Sequence, residues 1–345
     1  MKEYDLIIIG DGISSKVLTY YLCLQQRFLK NIAVVSNSDM APPCSLATTS
    51  IVSLFGTQKG LSDLGDLNVD SFMAFDSFVK KNNPKGVHPA EHFHLNTSDS
   101  SALVKRFGHA QSTSQLTDEI TLTQNVFVSK DISHVVYAQT FMDWIDRETS
   151  KSASIKVDKI KYHVRSISYQ NNSVVLNDGN LELKAKNIVL CSGAYSKINE
   201  AIYPKQKAIT HSKVVSGSYL GFKDIDWGNR DLIFTLNKMN LIYRHHDRSL
   251  LLGGTHCTQG ISIAYERQLK ASFEAFQKLL SLPWPSYDQG MFYTGLRHKG
   301  QKRMPFYGKL EERVYAQIGL YKNGFSYPFF MAPKLIEQIK NDLDA

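Results

Sequence analysis

The sequence predicts an α/β protein in which a discontinuous Rossmann-like nucleotide-binding domain carries an inserted, β-rich α+β substrate domain. An apolar strand, a glycine turn, a helix and a second strand follow one another between Tyr4 and Ser36, which is a βαβ unit of the expected length. Short strands with turn signals fill the middle of the chain, and a strand, a glycine turn and a helix close it. This order implies that the chain leaves the nucleotide domain and later returns to it.

Individual elements follow from the spacing of apolar residues and from the positions of glycine and proline. Residues 70–82 have helical periodicity, whereas residues 83–125 are rich in Pro, His, Ser and Thr and are expected to be irregular or β. The predicted helices are Ser15–Phe28, Ala138–Glu148, Tyr265–Leu280 and Pro333–Asp344. The predicted strands are Tyr4–Ile9, Ile32–Ser36, Val164–Tyr169, Ser173–Leu176, Leu181–Ala185, Asn187–Cys191, Leu241–Arg244, Ser249–Leu252 and Val314–Ile318. A turn is predicted at Asp178-Gly179. We expect residues 1–65, 126–205 and 290–345 to form the nucleotide-binding domain and residues 66–125 and 206–289 to form the substrate domain.

Composition and charge narrow the class of protein. No window approaches the roughly 18 consecutive apolar residues that a membrane span needs, and the run Leu6–Ile9 is followed by glycines, as in a strand and not a signal peptide. The four cysteines are scattered without a CxxC pair, so we expect a cytoplasmic protein with reduced thiols and no metal site. The formal net charge of +8 fits a Lys-rich solvated surface or an affinity for nucleic acid, acidic proteins or anionic substrates.

The glycine turn predicts a dinucleotide site. Residues 10–15 read GDGISS, a GxGxxS pattern placed between an apolar strand and a helix. Gly10 permits the tight turn, Gly12 lets the backbone approach a pyrophosphate, and the helix N-terminus holds the negative charge. Ser15 replaces the third glycine and is small enough for close packing of helix and strand. The alternative is a glycine turn in an α/β protein without a cofactor.

The second strand lacks the acidic residue that holds the ribose hydroxyls in most such sites. Ser36 occupies that place and Asn37 follows it. Both side chains can accept a hydrogen bond from a hydroxyl, more weakly than a carboxylate. Asp39, in the loop that follows, is an alternative acceptor.

Five further segments resemble segments of flavoproteins, most of them those of one family. Residues 187–196, NIVLCSGAYS, resemble the strand-plus-glycine segment with which many flavoproteins return to FAD. Gly295-Leu-Arg297 with Pro305–Gly308, and then Gly319–Ser326, resemble the C-terminal signature and the glycine loop of the D-amino acid oxidase and glycine oxidase family. Tyr243 with Leu252–Thr255 is similar to a strand-and-glycine stretch of that family, and Ser45–Ile51 lies where the family passes the chain beside the flavin. The resemblance covers nearly the whole chain in the family's order.

The resemblance implies a FAD-binding domain of the glutathione-reductase type, non-covalent FAD, and oxidation of a C–N centre in a small amine or amino acid. No second GxGxxG is present, so we expect no NAD(P)H domain, and the electrons would pass to oxygen or another acceptor. The residues that we expect around FAD are Gly10, Gly12, Ile13, Ser14, Ser15, Ser36, Asn37, Thr48, Thr49, Val164, Ser192, Gly193, Gly295, Arg297, Lys322, Asn323, Gly324, Phe325 and Ser326.

Two residues at matching positions are implied to act on the substrate. Arg297 matches the family arginine that pairs bidentately with the substrate carboxylate. Its alternative is a surface or ion-paired arginine. Tyr243 matches a tyrosine whose hydroxyl faces the substrate, and its alternative is packing in the aromatic core.

The chain departs from the family pattern in ways that leave other functions open. Residues 297–303, RHKGQKR, form a basic run in which His298 and Lys302 replace a proline and an acidic residue of the family. This run is either a solvated face or a docking surface through Arg297, Lys299, Lys302 and Arg303 for a larger acidic substrate, a protein or an RNA.

Two alternative functions follow. One is a flavoprotein that modifies a macromolecule, either a protein side chain during cofactor maturation or a tRNA base. The other is a flavin-binding protein without turnover, motivated by the missing ribose carboxylate. His245 and His246 also replace apolar family residues. We expect these two neighbours on a strand to point to opposite faces and therefore not to ligate one metal together.

Overall fold

Two β-sheets organise the computed structural model, which describes residues 3–25, 29–37, 43–152, 154–170, 172–203, 205–257 and 263–344. The strands are β1 (Glu3–Ile9), β2 (Asn31–Ser36), β3 (Ile51–Val52), β4 (Val87–Asn96), β5 (Gln111–Gln115), β6 (Thr121–Val136), β7 (Lys156–Lys161), β8 (Ser166–Gln170), β9 (Ser173–Asn177), β10 (Glu182–Leu190), β11 (Lys213–Phe222), β12 (Leu232–Leu236), β13 (Met239–Arg244), β14 (Ser249–Gly253), β15 (Met291–Lys299), β16 (Phe306–Glu311) and β17 (Val314–Ile318). The helices are α1 (Ile13–Gln25), α2 (Asp63–Asn82), α3 (Ser101–Phe107), α4 (Ala138–Ser150), α5 (Tyr195–Ile198), α6 (Lys207–Thr210), α7 (Ile263–Leu279) and α8 (Tyr327–Asp344), with 3-10 turns at Tyr287–Gln289 and Gln301–Arg303.

The first sheet has the strand order β16-β17-β10-β1-β2-β7, and β9 and β8 extend it from β10. Strands β17, β10, β1, β2 and β7 run parallel, whereas β16 pairs antiparallel with β17. Strand β1 is apolar at consecutive positions because both of its faces are covered. Leu6 and Ile8 pack with α1, α4 and α8, and Ile7 and Ile9 belong to a second core on the opposite face.

The second sheet has the order β15-β11-β14-β13-β12-β4-β6-β3, with β5 paired to β6. It is antiparallel except where β12 pairs with β4. Helix α7 covers one face, and its Leu269, Phe273 and Phe276 are almost completely buried in the core beneath it. The predicted α/β class, with a Rossmann-like sheet and a β-rich second part, is confirmed.

Several element boundaries differ from prediction. The segments predicted at Leu181–Ala185 and Asn187–Cys191 merge into one strand, β10 (Glu182–Leu190), in which the polar Lys186 between them pairs with Asp5 at 2.8 Å. Helix α8 begins at Tyr327, so Pro333 lies inside it and not at its start. An interior proline costs about 3 kcal/mol, and the complete burial of the surrounding apolar side chains offsets this cost. Helix α2 begins before residue 70 because Ser62 caps it, accepting from Gly65 N at 3.1 Å.

Sheet membership divides the chain differently from the predicted domain boundaries. Strand β6 crosses the boundary between residues 125 and 126, and both β6 and β15 belong to the second sheet. The division into domains therefore stays a prediction. No helix in the described ranges has the length and apolar character that a membrane crossing needs.

Candidate functional site

A cavity of about 920 Å³ opens where the carboxyl ends of the parallel strands meet the second sheet. Ile9, Ser36, Cys191 and Ile318 line it from the ends of β1, β2, β10 and β17, and Gly295 lines it from β15. The carboxyl edge of a parallel sheet is the usual place for a ligand in such folds. The volume lies at the upper end of the range for small-molecule sites.

The glycine turn lines part of this cavity. Gly10 has φ +117°, and a Cβ placed there would lie 2.5 Å from the carbonyl oxygen of Cys191, so only glycine fits. Gly12 and Ile13 follow at the start of α1, where Ile13 N donates to Ser45 Oγ at 3.1 Å. Because these residues line the cavity, the N-terminus of α1 faces it, which suits a phosphate group.

The two serines of the turn have different positions. Ser14 lines the cavity, and its hydroxyl donates to the carbonyl oxygen of Gln317 at 3.0 Å, which joins α1 to β17. Ser15 is completely buried, and its hydroxyl donates to the carbonyl oxygen of Gly12 at 3.2 Å. Ser15 thus packs helix against sheet and does not border the cavity, which corrects its expected contact with the cofactor.

Among the described residues, the end of β2 supplies uncharged polar groups to the cavity. Ser36 and Asn37 both line the cavity. The side-chain amide of Asn37 lies 2.5 Å from Nδ1 of His163, which lines the cavity as well. Asp39, the alternative acceptor for a ribose hydroxyl, lies outside the described residues.

The segment before β3 borders the cavity. Thr48 and Thr49 line it. Gly295 on β15 permits this approach, because a Cβ there would lie 2.9 Å from both the carbonyl oxygen of Ala47 and the sulfur of Cys44. Burial raises the pKa of the Cys44 thiol although Arg297 acts in the opposite direction. Cys44 is therefore a neutral thiol near pH 7.

The returning strand and the C-terminal loop also meet at the cavity. Ser192, Gly193 and Val164 line it, as do Lys322, Gly324 and Phe325. Asn323 and Ser326 do not. The carbonyl oxygen of Asn323 accepts from Ser326 N at 3.2 Å and Tyr327 N at 3.0 Å, so these two residues build the start of α8. Their expected contact with the cofactor is corrected accordingly.

Arg297 lines the same cavity from β15. Its Nη1 donates to the carbonyl oxygen of Thr255 at 3.0 Å. The guanidinium occupies the space that a side chain at Gly217 would fill, and a Cβ at Gly254 would lie 2.9 Å from Nη2. Within the described ranges no carboxylate forms an ion pair with Arg297. The guanidinium is therefore held in place with donors that remain for a ligand anion.

Tyr243 does not reach the cavity. It is 1% exposed, packs with Leu241 in the core beneath α7, and donates to the carbonyl oxygen of Gly228 at 2.9 Å. Asn240, on the same strand, does line the cavity. Residues separated by an odd number of positions on a strand point to opposite faces. The prediction that Tyr243 faces the substrate is wrong, and the alternative of aromatic core packing describes it.

The basic run 297–303 is not one surface. Arg297 faces the cavity, whereas His298 is 4% exposed and its Nε2 lies 2.7 Å from Ser212 Oγ. Burial lowers the pKa of His298 to about 4, with a smaller contribution from Lys197, so its imidazole is neutral near pH 7. Lys302 and Arg303 are exposed. Nothing in the described part of the chain supports a protein or RNA partner at this run.

Two histidine clusters lie outside the cavity. His245 and His246 sit in a turn after β13 with ring centroids 3.7 Å apart, so the expectation that they point to opposite faces of a strand is wrong. His92, His94 and Asp131 place potential ligand atoms within 4.8 Å of one another. Both nitrogens of His92 already have hydroxyl partners, at 3.0 Å and 2.8 Å. Hydrogen bonding thus accounts for this second cluster.

Other cavity residues were not predicted. The ring of Tyr293 stacks on that of Tyr219, with 4.8 Å between the ring centroids. Tyr293 lines the cavity from the same strand as Arg297. Lys238 and Asn240 reach the cavity from the β12–β13 hairpin, which carries no sequence signal for a site. Tyr321 could have been found, because it lies within the glycine-loop motif.

No protein-family model and no curated protein sequence matches the chain. Among solved structures, glycine oxidase from Geobacillus kaustophilus is similar with a TM-score of 0.76 and 16% identity, over 99% of this chain and 95% of that one. L-alpha-glycerophosphate oxidase from Mycoplasma pneumoniae, solved with FAD bound, has a TM-score of 0.79 and 12% identity, over 99% of this chain and 95% of that one. Iminodiacetate oxidase from Chelativorans sp. has a TM-score of 0.75 and 14% identity, over 97% of this chain and 95% of that one. The chain therefore has, along nearly its whole length, the fold that these oxidases share.

Proposed function

We propose that the protein is a FAD-dependent oxidoreductase of the D-amino acid oxidase and glycine oxidase family that oxidises the C–N centre of an amine or amino acid. One observation carries the proposal: a single cavity is lined both by a glycine turn and by an arginine that pairs with no carboxylate in the described part of the chain. Electrons would leave to oxygen or another acceptor. The whole-length likeness to oxidases that differ in substrate supports the reaction class more than any particular substrate.

The residues at the cavity fit FAD. Gly10 allows the tight turn against Cys191, and Gly12 leaves the cavity lining free of a side chain at the N-terminus of α1, where a pyrophosphate would be held. Ser36 and Asn37 would hydrogen-bond the ribose hydroxyls in place of a carboxylate. The segment Thr48–Thr49, with Gly324 and Phe325, would contact the ring system deeper in the cavity. When bound, FAD would supply the hydride acceptor for the reaction.

The chain's own residues would position the substrate. Arg297 would hold a substrate carboxylate, and its hydrogen bond to Thr255 fixes the plane of the guanidinium. Tyr293, on the same face of β15 as Arg297, would form the wall that orients the carbon chain. The positive charges of Arg297 and Lys322 disfavour a protonated amine nearby, so they would promote binding of the substrate with a neutral nitrogen.

The test is an absorption spectrum of the purified protein followed by anaerobic titration. We expect a yellow protein whose flavin absorbance bleaches with at least one amino acid, glycine or N-methyl amino acid. An Arg297→Ala variant should keep its flavin and lose most of its affinity for that substrate. Absence of flavin, or a flavin that no member of a broad amine panel reduces, would refute the proposal and favour a flavin-binding protein without turnover.

A further inference from the structure

The cavity carries an excess of positive charge. Lys238, Arg297 and Lys322 line it, and among the described lining residues the one carboxylate is that of Asp11. Asp11 lies in the glycine turn, where it pairs with Lys16 at 3.1 Å. In the described part of the chain, no other lining carboxylate offsets these three cations.

Two further cations extend this excess beyond the cavity wall. Arg297, Lys299, Arg303 and Lys322, together called the cationic cluster here, surround Tyr321. The ammonium groups of Lys299 and Lys322 lie 5.8 Å and 5.9 Å from the centroid of its ring. In the part of the chain that the structure describes, no member of the cluster forms an ion pair. Lys16 and Arg230, by contrast, each pair with two carboxylates.

The members of the cluster influence one another. Burial lowers the pKa of Lys322, and Arg297 and Arg303 lower it further. Nδ1 of His256 lies 2.7 Å from the hydroxyl of Tyr321. Burial lowers the pKa of His256, and the charges of Lys322, Lys299, Arg297 and Arg303 lower it further. The positive charges thus lie close enough to repel each other, and a bound anion would relieve this repulsion.

One substrate carboxylate is not enough to neutralise the cluster. A simple amino acid with one carboxylate would pair with Arg297 and leave Lys322 unpaired at the cavity wall. The pyrophosphate of FAD would be held at the glycine turn, by residues other than those of the cluster. Charges of one sign that line a cleft select ligands of the opposite sign.

We propose that the substrate carries a second anionic group, a carboxylate or a phosphate, which Lys322 binds while Arg297 holds the first. This inference rests on the proposed function, since it specifies the substrate class of the same site. The second group would sit beside Tyr321, between the ammonium groups of Lys322 and Lys299. Arg303 would contribute through its charge from outside the cavity.

The first experiment measures binding without turnover. Succinate and butyrate have the same number of carbon atoms but carry two carboxylates and one, and their binding to the flavin-loaded protein is followed by the change in flavin absorbance. We expect succinate to bind at least tenfold more tightly at low salt, with a steeper loss of affinity as salt is added. In Lys322→Met this preference should fall to about twofold or less, and Lys322→Arg should restore it.

A matched control removes the same charge elsewhere. Lys278 is exposed on α7 and lines no part of the cavity. Lys278→Met should keep the full preference for succinate. Equal affinities for succinate and butyrate in the unaltered protein, or an equal loss of preference in both methionine variants, would overturn the inference.

The second experiment identifies the anionic group and separates the two proposals. Anaerobic flavin reduction is compared for alanine, aspartate and O-phosphoserine in both enantiomeric forms. Faster reduction by aspartate assigns a carboxylate, and faster reduction by O-phosphoserine assigns a phosphate. Reduction by alanine with an equal or lower half-saturating concentration overturns the second anionic group but keeps the proposed function. If succinate is preferred and no amine reduces the flavin, the anion site stands and the proposed function fails.

Discussion

Replacing Gly217 with alanine should disable the substrate anchor without altering any atom of Arg297. A Cβ at position 217 would overlap the guanidinium, with Cζ at 2.5 Å and Nη2 at 2.7 Å, so the arginine must move. Gly217 lies on β11 directly opposite Gly295 of β15, which leaves the backbone little freedom to adjust. The displaced guanidinium would lose its hydrogen bond to Thr255 and its fixed direction.

The size of the effect follows from the interactions that are lost. A hydrogen bond to a charged group contributes about 1.5–3 kcal/mol, which corresponds to roughly 10- to 150-fold weaker binding of a carboxylate ligand. The measurement is the dissociation constant of succinate by flavin absorbance, together with the midpoint of thermal unfolding. Flavin content should stay unchanged, because the three atoms nearest to a Cβ at position 217 all belong to Arg297 and none to the glycine turn.

Gly221→Ala is the matched control on the same strand. A Cβ there would lie 3.1 Å from Cε2 of Tyr293 and 3.4 Å from Cδ2 of Leu251, both in side chains that can shift by a few tenths of an ångström. We expect at most a threefold effect on succinate binding. If Gly217→Ala binds succinate as tightly as the unaltered protein while remaining folded, Arg297 is not the anchor and the reasoning fails.

Three further predictions address the cofactor, the corrected tyrosine and the buried histidine. Gly10→Ala should abolish flavin binding and lower the midpoint of thermal unfolding, because backbone strain at φ +117° costs about 1–3 kcal/mol. Full flavin occupancy in this variant would contradict the prediction. Tyr243→Phe removes only the hydrogen bond to Gly228, so it should leave kcat/KM unchanged and reduce the free energy of unfolding by about 1 kcal/mol. A tenfold loss of kcat/KM would instead indicate that Tyr243 contacts the substrate. Burial holds the pKa of His298 near 4 in the folded protein, below its ordinary value of about 6.5. On acidification from pH 6.5 to pH 4 the imidazole is therefore protonated first in the unfolded state. The free energy of unfolding should fall by up to about 3 kcal/mol over this range. Urea unfolding across that range should show a smaller loss for His298→Gln, and identical pH profiles would count against the assignment.

The nucleotide end of the site could be predicted because its signals are local. The run Leu6–Ile9, the two glycines and the start of α1 are consecutive in sequence, and each has a conformational requirement that the sequence itself reveals. Strand β10 was divided in two by prediction because a single lysine interrupts its apolar pattern. Its ion pair with Asp5 involves a residue far away in the sequence and leaves no local signal.

The substrate end could be predicted only in part because its geometry depends on how distant strands align. Arg297 was found from its motif, but the space it occupies is created by Gly217 on the neighbouring strand and by Gly254. Whether Tyr243 or Asn240 faces the cavity depends on which side of β13 meets α7, and both faces of this strand carry apolar residues. The residues Lys238 and Asn240 come from a hairpin that no motif marks.

The hydrogen bonds between Ser14 and Gln317 have a consequence for the order in which the site is assembled. Ser14 donates to the backbone of Gln317, and the Gln317 side chain donates back to Ser14 Oγ at 3.0 Å, although the two residues are 303 positions apart. Strand β17 joins the sheet beside β10, which itself lies beside β1. During synthesis on a ribosome the first strands emerge long before Gln317, so the N-terminal glycine turn must wait in an incomplete pocket. Capture of a dinucleotide would accordingly be a late, post-translational event that locks both ends of the chain together.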